Sequence, residues 1–179
     1  LSAFLPALDK NHMTLATGYD DAPYNYIDTN RPVRNYYKGY KGYSTIREAI
    51  TNSMNVVSAK TIADVTPKPS FEYLMNLGFS TLVSNETTSN GNVYPDITQS
   101  LSLGGLTYGV TNMELTSAYA SIANGGTYQK PVLYTKVVDH NGNILLSNTQ
   151  KGKRVMKEST AFLLTDAMKD VITKGTGKS

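Results

Sequence analysis

The sequence contains no cysteine, no tryptophan and no long apolar run. The lack of cysteine excludes disulfide bonds, zinc–thiolate sites and thiol catalysis. No stretch reaches the roughly 20 apolar residues that a membrane-spanning helix needs, and no signal-peptide pattern is present. We therefore expect any membrane anchor to lie outside this chain. The net charge of +3 over 179 residues is too small to indicate nucleic-acid binding.

Histidine is scarce, and the acidic residues do not follow a metal-binding pattern. His12 and His140 are far apart, and neither has a carboxylate at metal-ligand spacing. Asp20 and Asp21 are adjacent in a turn-rich segment, but the further oxygen ligands of a calcium loop are missing. We expect neither a metal ion nor a cofactor.

Tyrosine is abundant, with 13 residues against 4 phenylalanines. Many of these tyrosines lie between Tyr19 and Tyr43, among basic residues. A tyrosine ring packs on apolar groups while its hydroxyl remains hydrated. We favour an ordered coil pinned by tyrosines, with a solvated basic face. The alternatives are a carbohydrate- or peptide-facing surface for the tyrosines and contact with an anionic polymer for the basic stretch. The basic stretch consists of Arg31, Arg34, Lys38, Lys41 and Arg47.

The pattern of apolar and turn-forming residues predicts a helix-rich, mixed α/β domain. Two segments, 18–43 and 80–100, are rich in turn formers and predict coil or loop. A helix is expected from Thr45, with a break near Ser53 and a second helix after it. That second helix is expected to stop at Pro67 and Pro69. Further helices are predicted over 70–77, after the capping box Thr111–Glu114, and from about Ser159, with Leu115, Tyr119 and Ile172 facing inward. Two strands, over 132–138 and 144–146, are predicted to form a hairpin around Asn141–Gly142.

The ending KGTGKS admits three interpretations. A phosphate-binding loop needs a glycine at position 172, which is Ile172, and a preceding strand where a helix is predicted. A Lys-Thr-Gly motif on a strand edge binds substrate carboxylates, but here the order is Lys174, Gly175, Thr176, Gly177. We favour the end of a helix, with Lys174 near the negative end of the dipole and Gly175 as a left-handed cap.

The triplet Ser53-Met54-Asn55 stands out at the predicted helix break. On its own it is a weak signal, because Ser and Asn at such a break often satisfy free backbone groups. Its position between two helices would let both side chains project from one turn.

Two long stretches around this triplet resemble one protein family. The first, PVRNYYKGYKGYSTIREAITNSMNVVSAKTI (32–62), resembles the region of the second active-site motif of penicillin-binding protein transpeptidase domains, and the second is SLGGLTYGVTNMELTSAYASIANGG (102–126). The opening LSAFLPAL and the closing GTG helix also resemble this family, in its class A members. The resemblance covers residues 1–179 as the central part of one transpeptidase domain.

The resemblance implies a fold in which helices pack on an antiparallel sheet, incomplete in this chain. It implies a peptidoglycan D,D-transpeptidase that forms a serine acyl-enzyme with D-Ala-D-Ala stem peptides and is acylated by β-lactams. By the family's layout Ser53 is a proton-transferring second hydroxyl, and Asn55 holds the catalytic lysine and donates to the substrate carbonyl. No Ser-x-x-Lys and no Lys-[Ser/Thr]-Gly sequence occurs, so the nucleophile is expected before Leu1 and the carboxylate-binding strand after Ser179.

Class A membership would add a glycosyltransferase domain in the same protein and an anchor at the extracytoplasmic face of the bacterial membrane. Two alternatives remain: a helical scaffold or binding module without chemistry, and a β-lactam sensor or hydrolase of the same fold. A Glu-bearing loop beside the site would favour a hydrolase, whereas Met54 inside the triplet favours the transpeptidase.

Overall fold

The computed structural model of the protein describes residues 1–85, 87, 91 and 94–178. The helices of this part are α1 (Phe4–Asp9), α2 (Ile46–Thr51), α3 (Asn55–Val65), α4 (Pro67–Asn76), α5 (Asn112–Ala123) and α6 (Glu158–Thr173), with a 3₁₀ helix at Gln99–Leu103. The strands are β1 (Gly18–Asp21), β2 (Tyr24–Asn25), β3 (Pro32–Val33), β4 (Gly42–Thr45), β5 (Thr127–Tyr128), β6 (Lys136–Val138), β7 (Ile144–Ser147) and β8 (Lys153–Arg154). The predicted helix-rich, mixed α/β class is confirmed.

The strands within the described residues pair antiparallel and two at a time. The pairs are β1 with β4, β2 with β3, β5 with β8, and β6 with β7. The prediction of coil over 18–43 is therefore wrong in part, because three strands and the start of a fourth lie there. These strands are only two to four residues long, so no alternation of apolar and polar residues marks them. Part of the predicted loop 80–100, namely 86, 88–90 and 92–93, lies outside the described residues.

Helix α3 lies at the centre of the molecule. Its side chains Val56, Val57, Ala59 and Ile62 are fully buried. It packs against α1, α2, α4 and the 3₁₀ helix, as well as β1 and β3. Because α3 is apolar on several sides, its position is fixed by the elements around it, and its first residue sits directly after the Ser53 turn.

The predicted stop of a helix at Pro67 is confirmed, but the start of the next helix differs from the prediction. Helix α3 already ends at Val65, and Thr66 has a φ of 69°, which breaks the helix. Pro67 then starts α4 at its first position, where a proline costs no backbone hydrogen bond. The prolines therefore begin a helix here, and the predicted helix over 70–77 starts three residues earlier. Gly78 follows this helix with a φ of 87°, as expected of a helix-terminating glycine.

Three of the residues expected to face inward are exposed. Leu115 and Tyr119 of α5 are 40% and 46% exposed, and Ile172 of α6 is 64% exposed. The buried faces of these helices are narrower than the apolar pattern suggested. Their fully buried positions include the small residues Ala118 and Ala167. The predicted hairpin at Asn141–Gly142 is present, but its first strand covers only Lys136–Val138. None of the described helices combines the length and the apolar character of a membrane span.

Candidate active site at the Ser53–Asn55 turn

Helix α2 leads into the turn and has a defined start. Thr45 and Glu48 form a capping box in which each side chain bonds the backbone N–H of the other. Two free N–H groups of the first turn are satisfied in this way. The helix runs to Thr51, and the predicted break near Ser53 is confirmed.

Ser53 has a left-handed backbone conformation, with a φ of 51°. This region is unfavourable for residues other than Gly, Asn and Asp. The next residue, Met54, is fully buried and packs with Ala49 and Val57, and its N–H donates to the carbonyl of Ala49 at 2.9 Å. Met54 therefore anchors the turn from below, and Ser53 remains exposed above it.

Ser53 and Asn55 line the same cavity of about 350 Å³. None of the hydrogen bonds among the described residues involves the Ser53 hydroxyl, which is therefore available to a ligand. The cavity walls come from several helices. The other lining residues are Leu1, Phe4, Ala49, Ile50, Ser58, Ser102, Leu103, Tyr119, Ile122, Leu164 and Met168.

Asn55 is tied to the segment that precedes β4. Its Nδ2 donates to the carbonyl of Arg34 at 2.8 Å, and its backbone N–H donates to Oδ1 of Asn35 at 2.9 Å. One further N–H of the Asn55 amide and its acceptor oxygen remain for other partners. A hydroxyl and an amide facing one cavity can together transfer a proton and hold a polar substrate group.

Arg47 joins α2 to α6. Its guanidinium donates to Asp166 at 2.6 Å and to Asp170 at 2.9 Å, two carboxylates one turn apart on α6. These two carboxylates raise the pKa of Arg47. Arg47 and then Lys174 hold the pKa of the Asp170 carboxyl below its usual value. The ion pairs fix the helix that precedes Ser53 against α6.

The segment after α6 packs on the end of α2. Gly175 does not adopt a left-handed conformation, so the predicted left-handed cap is wrong. Position 175 requires glycine because its backbone lies close to the end of α2, where a Cβ atom would overlap the carbonyl oxygen of Thr51. Thr176 N–H donates to that same oxygen at 3.2 Å. Lys174 pairs with Asp170 at 3.2 Å.

Among the described residues, no three His, Asp or Glu side chains come together as metal ligands would. The cavity at Ser53 is lined by apolar and hydroxyl or amide groups, and it contains no carboxylate.

The sequence matches the family model described as the penicillin binding protein transpeptidase domain over residues 1–179. The chain belongs to this family. Penicillin-binding protein 1A of Streptococcus pneumoniae is 36% identical over 188 residues, and the match covers 100% of this chain and 24% of that protein. Penicillin-binding protein 1A of Streptococcus oralis is 32% identical, with 99% of this chain and 27% of that protein covered. The chain thus spans about a quarter of the length of these relatives.

Solved structures confirm the penicillin-binding transpeptidase fold. Penicillin-binding protein 1A from Haemophilus influenzae superposes with a TM-score of 0.79 at 20% identity, and 99% of this chain and 29% of that chain are covered. The PonA1 protein from Mycobacterium tuberculosis, in complex with penicillin V, gives a TM-score of 0.77 at 23% identity, with 93% and 44% covered.

Sequence reasoning within this family found two of the residues that face the cavity and missed others. Ser53 and Asn55 were predicted to project from one turn, and both line the cavity. The wall residues Tyr119 and Leu103 were not expected there, because the spacing within α5 placed Tyr119 in the core. Asn35 lies within the stretch 32–62 that resembles the family, but its contact with the start of α3 has no signal in the local sequence.

Proposed function

We propose that the protein containing this chain is a peptidoglycan D,D-transpeptidase of the serine acyl-enzyme type, with Ser53 and Asn55 in its active site. The observation that carries the proposal is the free Ser53 hydroxyl beside Asn55 in one cavity, in a chain of the penicillin-binding transpeptidase family. The chain contains no Ser-x-x-Lys and no Lys-[Ser/Thr]-Gly sequence. The proposal therefore assigns the nucleophile and the carboxylate-binding strand to parts of the protein outside these residues.

In the proposed reaction a serine hydroxyl attacks the carbonyl of the D-Ala-D-Ala peptide bond. The attacking hydroxyl loses its proton to a neighbouring lysine, the C–N bond breaks, and the terminal D-Ala leaves as an amine that must gain a proton. Ser53 passes this proton, since a hydroxyl can accept and donate at the same time. The amine of a second stem peptide then resolves the acyl-enzyme.

Asn55 is assigned a positioning and binding role. Its Nδ2 donates one N–H to Arg34, which fixes the amide plane. The remaining N–H can donate to a substrate carbonyl, while Oδ1 accepts from the catalytic lysine. An amide is suited to this task because it offers a donor and an acceptor without a net charge.

The wider biological setting is part of the same proposal. The stem peptides of peptidoglycan and β-lactams are the proposed ligands, and a glycosyltransferase domain in the same protein and an anchor at the extracytoplasmic face of the membrane complete it. The relatives named penicillin-binding protein 1A support the β-lactam ligands, and the solved D,D-transpeptidase domain of a peptidoglycan glycosyltransferase from Eggerthella lenta supports the glycosyltransferase domain.

Labelling with a fluorescent penicillin tests the proposal. We expect the full-length protein to label covalently and to release D-Ala from a stem pentapeptide, and Ser53→Ala to slow acylation by about 100-fold or more. Ser117→Ala is the matched control, because that hydroxyl bonds only the backbone of its own helix, at Met113. It should label like the wild type.

Two outcomes would contradict parts of the proposal. A folded full-length protein that never labels and releases no D-Ala would refute the transpeptidase assignment and favour a scaffold. Normal labelling of Ser53→Ala would leave the transpeptidase and remove Ser53 from its mechanism.

A further inference from the structure

The first turn of α3 has an unusual cap. Met54 occupies the capping position, and its side chain accepts no hydrogen bond from the helix. The free N–H groups of Asn55 and Val56 both donate to Oδ1 of Asn35, at 2.9 and 3.2 Å. The helix that begins at the candidate site is therefore capped by a residue 20 positions earlier in the chain.

A buried carboxylate fixes the orientation of this capping amide. Nδ2 of Asn35 donates to Oδ1 of Asp21 at 2.8 Å, and Asp21 is 1% exposed. The other oxygen of Asp21 accepts from the Tyr37 hydroxyl at 2.7 Å and from the Lys41 N–H at 2.8 Å. Since a carboxylate only accepts, the nitrogen of Asn35 must face Asp21 and its oxygen must face α3.

The same segment also orients the side chain of Asn55. The carbonyl of Arg34, next to Asn35, accepts from Nδ2 of Asn55. The backbone and the side chain of Asn55 are thus both held by two consecutive residues. A shift of Asn35 would move the Asn55 amide together with the start of α3.

We propose that Asn35 and Asp21 are positioning residues that hold the Ser53–Asn55 turn in the geometry needed for acylation. The inference rests on the proposed function of Ser53 and Asn55. Neither Asn35 nor Asp21 lines the cavity, so they act through Asn55 and the start of α3. A displacement of about 1 Å at a reacting group can reduce a rate by about 100-fold, so losing either residue should slow acylation by about 10- to 100-fold.

An exchange of the two side chains gives a sharp test. Asn35→Asp places two carboxylates against each other. In Asp21→Asn the new amide nitrogen must face either Nδ2 of Asn35 or the Lys41 N–H, so one pair of donors meets without an acceptor. The double variant Asp21→Asn/Asn35→Asp restores every contact: the new amide nitrogen donates to the new carboxylate, whose other oxygen accepts from α3. We expect both single variants of the full-length protein to be acylated 10- to 100-fold more slowly, and the double variant to recover most of the rate.

A matched control separates positioning from simple stability. Thr111→Ala also removes a side-chain oxygen that accepts from the first turn of a helix, in this case α5, but Thr111 does not line the cavity. We expect it to lower the Tm about as much as the single variants and to leave the acylation rate constant at saturating penicillin unchanged. Tyr37→Phe removes one donor from Asp21 and should give a smaller loss, which keeps the test informative if a stronger variant fails to fold.

The possible results are distinguishable. Slow single variants with a recovered double variant support the proposal. Single variants that lower the Tm like Thr111→Ala but acylate at the wild-type rate overturn it and leave a structural cap. If the wild type never labels, the proposed function fails, and amide hydrogen exchange at Asn55 and Val56 decides the positioning claim. Faster exchange in both single variants, restored in the double variant, supports it, and unchanged exchange overturns it.

Discussion

Substituting Gly175 by alanine should disturb the candidate site from the far side of α2. A Cβ atom at Gly175 would overlap the carbonyl oxygen of Thr51 and lie 2.9 Å from both Cγ2 of Thr51 and Cα of Val171. These neighbours are backbone or a short β-branched side chain, so they cannot swing away. The segment after α6 must separate from α2, and the hydrogen bond from Thr176 to Thr51 must lengthen or break.

The expected cost follows from these contacts. Forcing one extra carbon into a packed contact costs about 1–3 kcal/mol, and the lost hydrogen bond adds about 1 kcal/mol. The free energy of unfolding should therefore fall by about 2–4 kcal/mol. Because Thr51 is two residues before Ser53, the acylation rate should fall as well. Denaturant unfolding of the full-length protein measures the first effect, and labelling with a fluorescent penicillin measures the second. Hydrogen exchange at the Thr176 amide reports whether its hydrogen bond to Thr51 is lost.

Gly18→Ala is the matched control. A Cβ atom at Gly18 would also overlap a neighbour, but that neighbour is the ring of Tyr43, whose side chain is 76% exposed and free to rotate. We expect Gly18→Ala to stay within about 1 kcal/mol of the wild type. Equal effects of the two substitutions, or an unchanged exchange rate at Thr176 in Gly175→Ala, would refute the close-approach explanation.

Two further predictions concern charged groups. Arg47→Ala should lower the free energy of unfolding by about 1 kcal/mol, a modest value because the pairs with Asp166 and Asp170 are partly exposed. Arg47→Lys should recover only part of this loss. NMR titration of Arg47→Ala should show the pKa of Asp170 rising towards its usual value. The Ser80 hydroxyl and the Thr111 N–H lower the pKa of Glu114 from 4.5 to about 2, so its stabilisation is fully present above pH 4.5 and is lost as the pH falls through about 2. Near neutral pH, Glu114→Gln should lower the free energy of unfolding by about 1–2 kcal/mol and the Tm accordingly. The Tm difference from the wild type should shrink as the pH falls from 4.5 to about 2. A Tm difference that does not depend on pH would contradict the lowered pKa of Glu114.

The features that sequence reasoning predicted are local in the chain. The helix break at Ser53 and the capping box of Thr111 and Glu114 depend on residues at most three positions apart, so their letters determine them. The long match to one family singled out Ser53 and Asn55, which the triplet alone could not do, and the structure places both at one cavity.

The features that were missed depend on contacts between distant residues. Asp21 and Asn35 are 14 positions apart, and polar side chains in a tyrosine-rich segment predict coil rather than a buried network. Pro67 was taken to stop a helix, and the same ring is equally compatible with the first position of the next one. The role of Gly175 was also missed, because the sequence does not distinguish a glycine that lies against a neighbouring backbone from one that caps a helix.

The left-handed conformation of Ser53 explains why the supports lie where they do. Such a conformation costs a residue with a Cβ atom about 1–2 kcal/mol, and glycine would avoid that cost but would lose the hydroxyl. The strain is offset from both ends of the turn: Thr176 holds the carbonyl of Thr51 before it, and Asn35 holds the N–H groups of α3 after it. Met54 fills the core beneath. Loosening either end lets Ser53 relax without exposing Met54, so acylation should slow in addition to any loss of global stability.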